Sequence, residues 1–240
     1  MRRLVLWDLD GTLVQFGDVG REMFRDAIEA VVGRPPDDAM LATVAFAGRT
    51  DLEIALELLE TSGVADGERH LPALVDALAV ALAARRAALP TRGRALPGAR
   101  EALAALHGLP GTVQSVLTGN VAANAAVKLG AFGLERFVDL DVGGYGSDHR
   151  ERPRLVGVAR ARAAAKYGWE FAPAETVLIG DSPLDVAAAL ASGARCVAVA
   201  SGWATADELA AAGADAVVED LTGTDRVIHA ILGKTPEQRV

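Results

Sequence analysis

Short apolar runs of strand type recur along the chain at Leu4–Trp7, Val113–Leu117, Phe137–Val142, Val177–Ile179, Cys196–Val199 and Ala216–Val218. Between the later runs lie alanine-rich stretches with helical periodicity, over Asn120–Leu129, Leu155–Tyr167, Leu184–Ala191 and Asp207–Ala212. Strands that alternate with helices predict an α/β fold whose mainly parallel sheet is covered on both faces. One gap breaks the rhythm. From about Asp18 to Ala88 no strand is apparent, only helical patterns over Arg21–Val32, Asp51–Leu59 and Leu71–Ala88, punctuated by Pro35-Pro36 and Ser62-Gly63. The pattern predicts an all-helical insertion over residues 17–92, placed after the first strand. Residues 1–16 and 93–240 then make the α/β core, with Leu89–Pro97 as a hinge-like linker marked by Pro90, Gly93 and Pro97.

Composition narrows the picture. A chain of 240 residues with 51% hydrophobic positions folds and buries a substantial core. Its formal charge of −8 argues against a nucleic-acid partner, because phosphate backbones are held by basic patches. An anionic phosphate ligand would therefore need local positive charge from a metal or a placed arginine. The single cysteine, Cys196, sits in an apolar run and reads as a small core residue. The start, Met1-Arg2-Arg3-Leu4-Val5-Leu6-Trp7, reaches Asp8 too soon for a secretory segment, which needs about 7–15 apolar residues. No stretch approaches the ~20 apolar residues of a membrane span, so the expectation is a soluble, cytoplasmic protein, monomer or homodimer. Lysine occurs only at Lys128, Lys166 and Lys234, with arginine as the prevailing base.

Parallel sheets bind ligands beyond the carboxyl ends of their strands, so the residues just after each run come next. After the first run stands Asp8-Leu9-Asp10-Gly11-Thr12. Two carboxylates leaving a buried strand are costly without a cation, and magnesium favours one or two carboxylates plus phosphate oxygens. Gly11 would let the backbone approach an anion, although Asp-x-Asp-Gly also describes an ordinary turn. Thr118-Gly119-Asn120 follows the second run and opens a helix, which suits either a phosphate site or a cap formed by Thr118 or Asn120. Gly180-Asp181-Ser182-Pro183-Leu184-Asp185 follows the fourth run, with capping by Ser182 as the plainer reading and Asp181 facing the site as the sharper one. The charged stretch Arg150-Glu151-Arg152-Pro153-Arg154 reads as a solvated loop or as the source of one site cation.

These residues together resemble the haloacid dehalogenase superfamily, and within it the phosphoglycolate phosphatase-like branch with a helical cap. The resemblance runs from Leu4 to about Leu221. Asp8-Leu9-Asp10-Gly11-Thr12 matches the first motif, Thr118 the second and Gly180–Asp185 the fourth, and Glu208–Val217 is similar to the branch's C-terminal segment. The resemblance implies a Rossmann-like core and a magnesium-dependent phosphatase that hydrolyses a small phosphorylated metabolite through an aspartyl-phosphate. Asp8 would be the nucleophile and Asp10 the acid/base. Asp8, the Asp10 main chain, Asp181 and Asp185 would serve the metal, and Gly11, Thr12, Thr118, Gly119 and Asn120 the phosphoryl group. The third motif usually carries lysine, but none occurs between Lys128 and Lys166; Arg152 takes that place, with Arg150 and Arg154 as competitors. Ala47-Gly48-Arg49-Thr50-Asp51 resembles the loop that the cap projects over the site, which makes Arg49 a candidate for a second substrate anion.

The same resemblance weighs the rivals. Asp10 argues against a dehalogenase, which needs no proton donor, and the insertion has no lysine for a phosphonatase Schiff base. A sugar-phosphate mutase of the β-phosphoglucomutase type shares every core motif, and a catalytically weak binding protein is the other alternative. A phosphorelay receiver would need neither the insertion nor Asp10.

Overall fold

Five of the six apolar runs pair into one sheet because each buries side chains on both of its faces. In the computed structural model, which describes residues 2–233, β1 (Arg3–Trp7) alternates Val5 and Trp7 toward one apolar cluster with Leu4 and Leu6 toward another. All four are fully buried. Short strand β2 (Val14–Gln15) follows. The chain then runs through helices α1 (Val19–Val32), α2 (Asp38–Thr43), α3 (Asp51–Thr61), α4 (Leu71–Ala83) and α5 (Leu89–Arg92) before returning through β3 (Arg94–Ala95).

Helix α6 (Ala99–Leu106) leads to β4 (Thr112–Thr118), α7 (Ala122–Gly130), β5 (Gly144–Tyr145) and α8 (Arg152–Tyr167). The chain ends with β6 (Thr176–Gly180), α9 (Pro183–Ala191), β7 (Arg195–Val199), α10 (Ala206–Ala211), β8 (Ala216–Val218) and α11 (Thr224–Leu232). Six strands form a parallel sheet in the order β5-β4-β1-β6-β7-β8. The α/β expectation holds. The chain moves outward from β1 to β4 and β5, then crosses to β6 on the other side. The carboxyl end of β1 therefore lies at a switch point, where parallel sheets open a crevice. Among the described residues no helix is long and apolar enough to cross a membrane.

Two local expectations need correction, and a third gains a detail. Phe137–Val142 is not a strand: it makes two 3-10 turns, and the edge strand is the two-residue β5 beyond it. Asp139 and Asp141 break the run, since Asp139 accepts from the Asp141 N–H and both carboxylates bind Lys166. Leu89–Pro97, expected as a hinge-like linker, also carries β3, which pairs antiparallel with β2 and ties together the two ends of the helical segment. Helix α7 starts at Ala122, and neither Thr118 nor Asn120 caps it; Ser147 Oγ accepts the Ala122 N–H from another loop.

The helical segment lies against the strand ends. Helix α3 begins with a reciprocal cap in which Thr50 and Glu53 satisfy each other's backbone N–H groups. The loop just before it docks on the core. Asp51 N–H donates to the Gly119 carbonyl at 2.7 Å, Thr50 Oγ1 to the Arg150 carbonyl at 3.0 Å, and Val121 N–H to Asp51 Oδ2 at 2.9 Å. Contact is so close that a Cβ on Gly119 would lie 2.0 Å from the Arg49 carbonyl oxygen.

Candidate active site

Asp8 leaves β1 with its backbone N–H on the Ile179 carbonyl of β6, so the sheet itself fixes its direction. Its side chain is almost wholly buried. Arg152 Nη2 donates to Asp8 Oδ1 at 2.8 Å, and Asp8 Oδ2 accepts nothing from any described residue. Burial holds the Asp8 carboxyl well above the ordinary carboxylate range; the Arg152 charge opposes this, and the Asp185 and Asp181 charges add to it.

Arg152 is the first residue of α8, not part of a solvated loop, and only 5% of its surface is exposed. It donates to Asp185 Oδ1 from Nε at 3.0 Å and from Nη2 at 2.5 Å. Burial works against its charge, yet the Asp185 and Asp8 carboxylates prevail and raise its pKa above the ordinary value. Arg150 and Arg154 lie elsewhere, paired with Glu68 and Glu151.

Asp185, expected at the metal, has its oxygens filled by protein. Oδ1 takes both Arg152 bonds, while Oδ2 accepts from Ser182 N–H at 3.1 Å and from Ser182 Oγ at 2.6 Å. Ser182 also caps α9, so the capping role and the site role coincide in one turn. Asp181 lies between the first and fourth motifs. Thr12 Oγ1 donates to its Oδ1 at 3.1 Å and Trp203 N–H to its Oδ2 at 3.2 Å. Thr12, expected at the phosphoryl group, is fully buried and turned to Asp181 instead. Two glycines make room for that carboxylate. A Cβ on Gly11, where φ is +91°, would fall 2.4 Å from Asp181 Oδ2, and one on Gly202 would fall 1.7 Å from it. Burial, then the Asp185 charge, pushes the Asp181 carboxyl up to about 7.

One oxygen from each of Asp8, Asp181 and Asp185 lies within 4.8 Å of the other two. Fully ionised, these three buried carboxylates face Arg152 as their one bonded cationic side chain among the described residues, which leaves two excess negative charges. A divalent cation fits that imbalance.

Asp10 stands apart from this cluster. Its Oδ2 accepts from Asn120 Nδ2 at 2.8 Å and from Lys128 Nζ at 2.5 Å. Thr118 Oγ1 accepts from the Asn120 backbone N–H at 3.2 Å and from Asn120 Nδ2 at 2.8 Å. With both lone pairs engaged, the Thr118 hydroxyl keeps its proton to donate. Asp8, Asp10, Gly11, Thr118, Gly119, Asn120 and Arg152 share one cavity of about 410 Å³, whose lining also includes Phe24, Phe46 and Trp203. Arg49 also lines it, but its Nη1 is held at 2.5 Å by Glu57 and at 3.2 Å by the Ala45 carbonyl. Lys128 is the site residue that sequence reasoning missed. Its signal was a lysine one turn after Asn124 on a helix face otherwise bearing Ala125 and Leu129.

Comparison with known proteins places the chain in a family. Residues 2–193 match the family described as haloacid dehalogenase-like hydrolase. A Dickeya dadantii protein named Probable phosphatase IndB is 31% identical over 236 residues, covering 97% of this chain and 96% of its own length. The plasmid phosphoglycolate phosphatase of Cupriavidus necator is 33% identical over 221 residues, covering 90% and 89%. Among solved structures, a hydrolase from Pseudomonas syringae superposes with a TM-score of 0.67 at 23% identity, covering 98% of this chain and 100% of its own. CbbY from Rhodobacter sphaeroides in complex with phosphate gives 0.64 at 22% identity, covering 92% and 96%. On the family match and the two sequence relatives, this chain belongs to the haloacid dehalogenase-like hydrolases.

Proposed function

We propose that the chain is a magnesium-dependent phosphatase acting on a small phosphate monoester through a phosphorylated Asp8. The observation that carries this reading is the buried Asp8–Arg152–Asp185 bridge beside Asp181, with Asp8 and Arg152 lining the same cavity as Asp10 and Thr118. Asp8 attacks phosphorus, so an Asp8 O–P bond forms as the bond from phosphorus to the leaving oxygen breaks. Asp10 gives its proton to that oxygen and keeps the electron pair. Water then attacks phosphorus and passes a proton to Asp10; the Asp8 O–P bond breaks, releasing inorganic phosphate and restoring Asp8.

Arg152 and the Thr118 hydroxyl stabilise the phosphoryl oxygens, with Gly119 and Asn120 shaping the cradle. Asp8, Asp181 and the Asp10 main-chain carbonyl would hold magnesium, which supplies further charge stabilisation to the phosphoryl oxygens when bound. Asp185 acts through Arg152, by holding the guanidinium against Asp8.

Residues 17–92 form the cap in this reading, and the docked loop at Arg49–Asp51 closes one side of the cavity. A volume near 410 Å³ suits a small metabolite. Phosphoglycolate-like and sugar phosphates both fall in that class, and the name of the Cupriavidus relative points to the first. The test is hydrolysis of p-nitrophenyl phosphate by the full chain. Turnover should require magnesium and vanish in Asp8→Asn, with no change in melting temperature large enough to explain the loss. An Asp8→Asn variant that still turns over would remove the nucleophile and the reading with it.

A further inference from the structure

Helix α7 brings to the cavity a second buried cation, one that the scheme above leaves without a part. Lys128 is 6% exposed, lines the cavity, and lies with Nζ 2.5 Å from Asp10 Oδ2. Asn120 Nδ2 donates to the same oxygen at 2.8 Å. Asp10 Oδ1 accepts from no described residue. The carboxyl is thus gripped at one oxygen by two donors and left open at the other. Its own side chain is 40% exposed, so burial does not restrain it as it restrains Asp8. Without the ammonium, a single amide would hold it.

We propose that Lys128 is a positioning residue for the leaving-group step: with Asn120 it fixes Asp10 Oδ2, so that Oδ1 carries the proton to the departing oxygen. The proposal rests on the reading of Asp10 as proton donor. In the step itself the Oδ1–H bond breaks as the bond from hydrogen to the leaving oxygen forms, and the electron pair stays on Asp10. Lys128 neither gives nor takes a proton. Its role is distinct from that of Arg152, which bonds to Asp8 and not to Asp10. The geometric gain is of the kind that places a reacting group within reach of its proton, and small displacements are costly there.

The leaving group provides the readout. A p-nitrophenolate departs readily without a proton, whereas an alkoxide does not, so a misplaced Asp10 harms alkyl esters selectively. We compare kcat of the full chain with magnesium on p-nitrophenyl phosphate and on the best-turned-over of ethyl, propyl and glycerol phosphates. Lys128→Met should lower kcat on the alkyl ester at least tenfold more than on the aryl ester. Asp10→Asn should show the same selectivity, and the double variant should lose little more than Asp10→Asn alone. Lys128→Gln, which keeps a donor, should recover part of the alkyl rate. Because unfolded protein lowers both rates equally, the ratio holds even for a destabilised variant.

Equal losses on the two esters, or losses that add in the double variant, would overturn the role of Lys128 alone. Selectivity absent from Asp10→Asn, or a wild type that hydrolyses only the aryl ester, would deny Asp10 its acid role and remove the proposal. A wild type inactive on both esters would end the phosphatase reading as well.

Discussion

Removing the Arg152 charge probes the site where its energetics are largest. In Arg152→Met the alkyl stem persists, but three hydrogen bonds to carboxylates disappear, one to Asp8 at 2.8 Å and two to Asp185 at 3.0 and 2.5 Å, together with longer ones to the Leu117 and Gly48 carbonyls. Arg152, Asp8 and Asp185 are almost wholly buried, so water cannot replace the guanidinium. One oxygen from each of Asp8, Asp181 and Asp185 would then lie within 4.8 Å of the other two, with no cationic side chain among the described residues bonded to them. Breaking a buried pair by deleting one partner costs about 3–5 kcal/mol, a large part of the roughly 5–15 kcal/mol that holds a domain together.

The assay is urea denaturation of the metal-free protein, read as a fall in midpoint at constant slope. Saturating magnesium should narrow the gap between variant and wild type, because a bound divalent cation offsets the carboxylates that lost their arginine. Stabilisation by about 2.7 kcal/mol is expected at a hundredfold excess over Kd. Activity should fall by about 10² or more even where the fold survives. Arg152→Lys, which keeps the charge without the planar fork, should lie between. Arg150→Met and Arg154→Met remove only exposed pairs and should leave both midpoint and rate close to wild type. A metal-free midpoint for Arg152→Met that coincides with that of Arg150→Met would refute the reasoning, whatever happened to the rate.

Two other perturbations follow from the same geometry. Burial lifts the Asp51 carboxyl from 3.8 to about 6, against the opposing charge of Lys128. The folded state thus holds that proton more tightly than the unfolded chain, and its contribution, complete below about pH 4, is lost as pH rises through 6, at a cost of about 3 kcal/mol. Asp51→Asn keeps an acceptor for the Val121 N–H and removes the titration, so its melting temperature should gain on wild type between pH 4 and 7; a constant difference would sink the argument. Gly202→Ala would drive a methyl into Asp181 Oδ2 and should weaken magnesium-induced thermal stabilisation at least tenfold in midpoint. Gly130→Ala, which meets nothing within 4 Å, should not, and similar behaviour of the two would mean that Asp181 has room to move.

How far the sequence carried depended on which force set each feature. Strands buried on both faces read as mainly apolar runs, and their parallel order followed from the helices between them, so the strand ends could be searched directly. Residues 137–142 deceived because alternation of Phe137, Leu140 and Val142 with acids imitates a half-buried strand; the outcome was decided by Lys166, which draws Asp139 and Asp141 into turns from α8. The tie between β2 and β3 was illegible because each strand is two residues long. Arg152 was separable from its neighbours only by its place before a proline, and the reason it is buried lies in Asp185, thirty-three positions away. Lys128 was passed over because a lone lysine in an alanine-rich helix looks solvated unless the helix face is known.

The charges of the site divide into separate assignments, and that division explains where a metal is needed. Arg152 serves Asp8 and Asp185; Lys128 serves Asp10. Among the described residues Asp181 receives only the Thr12 hydroxyl and the Trp203 N–H, both neutral donors, and its carboxyl is pushed up to about 7. A buried acid held that high resists ionisation near neutrality, where its partners must be ionised. Neutral donors cannot correct this, since they offer a fraction of the field of a full charge. A cation adjoining Asp181 and the unengaged oxygen of Asp8 would, and the glycines at 11 and 202 put no side chain against Asp181 Oδ2. The one acid of the cluster without a cationic side chain bonded to it is thus the one the fold leaves most closely fitted to a metal.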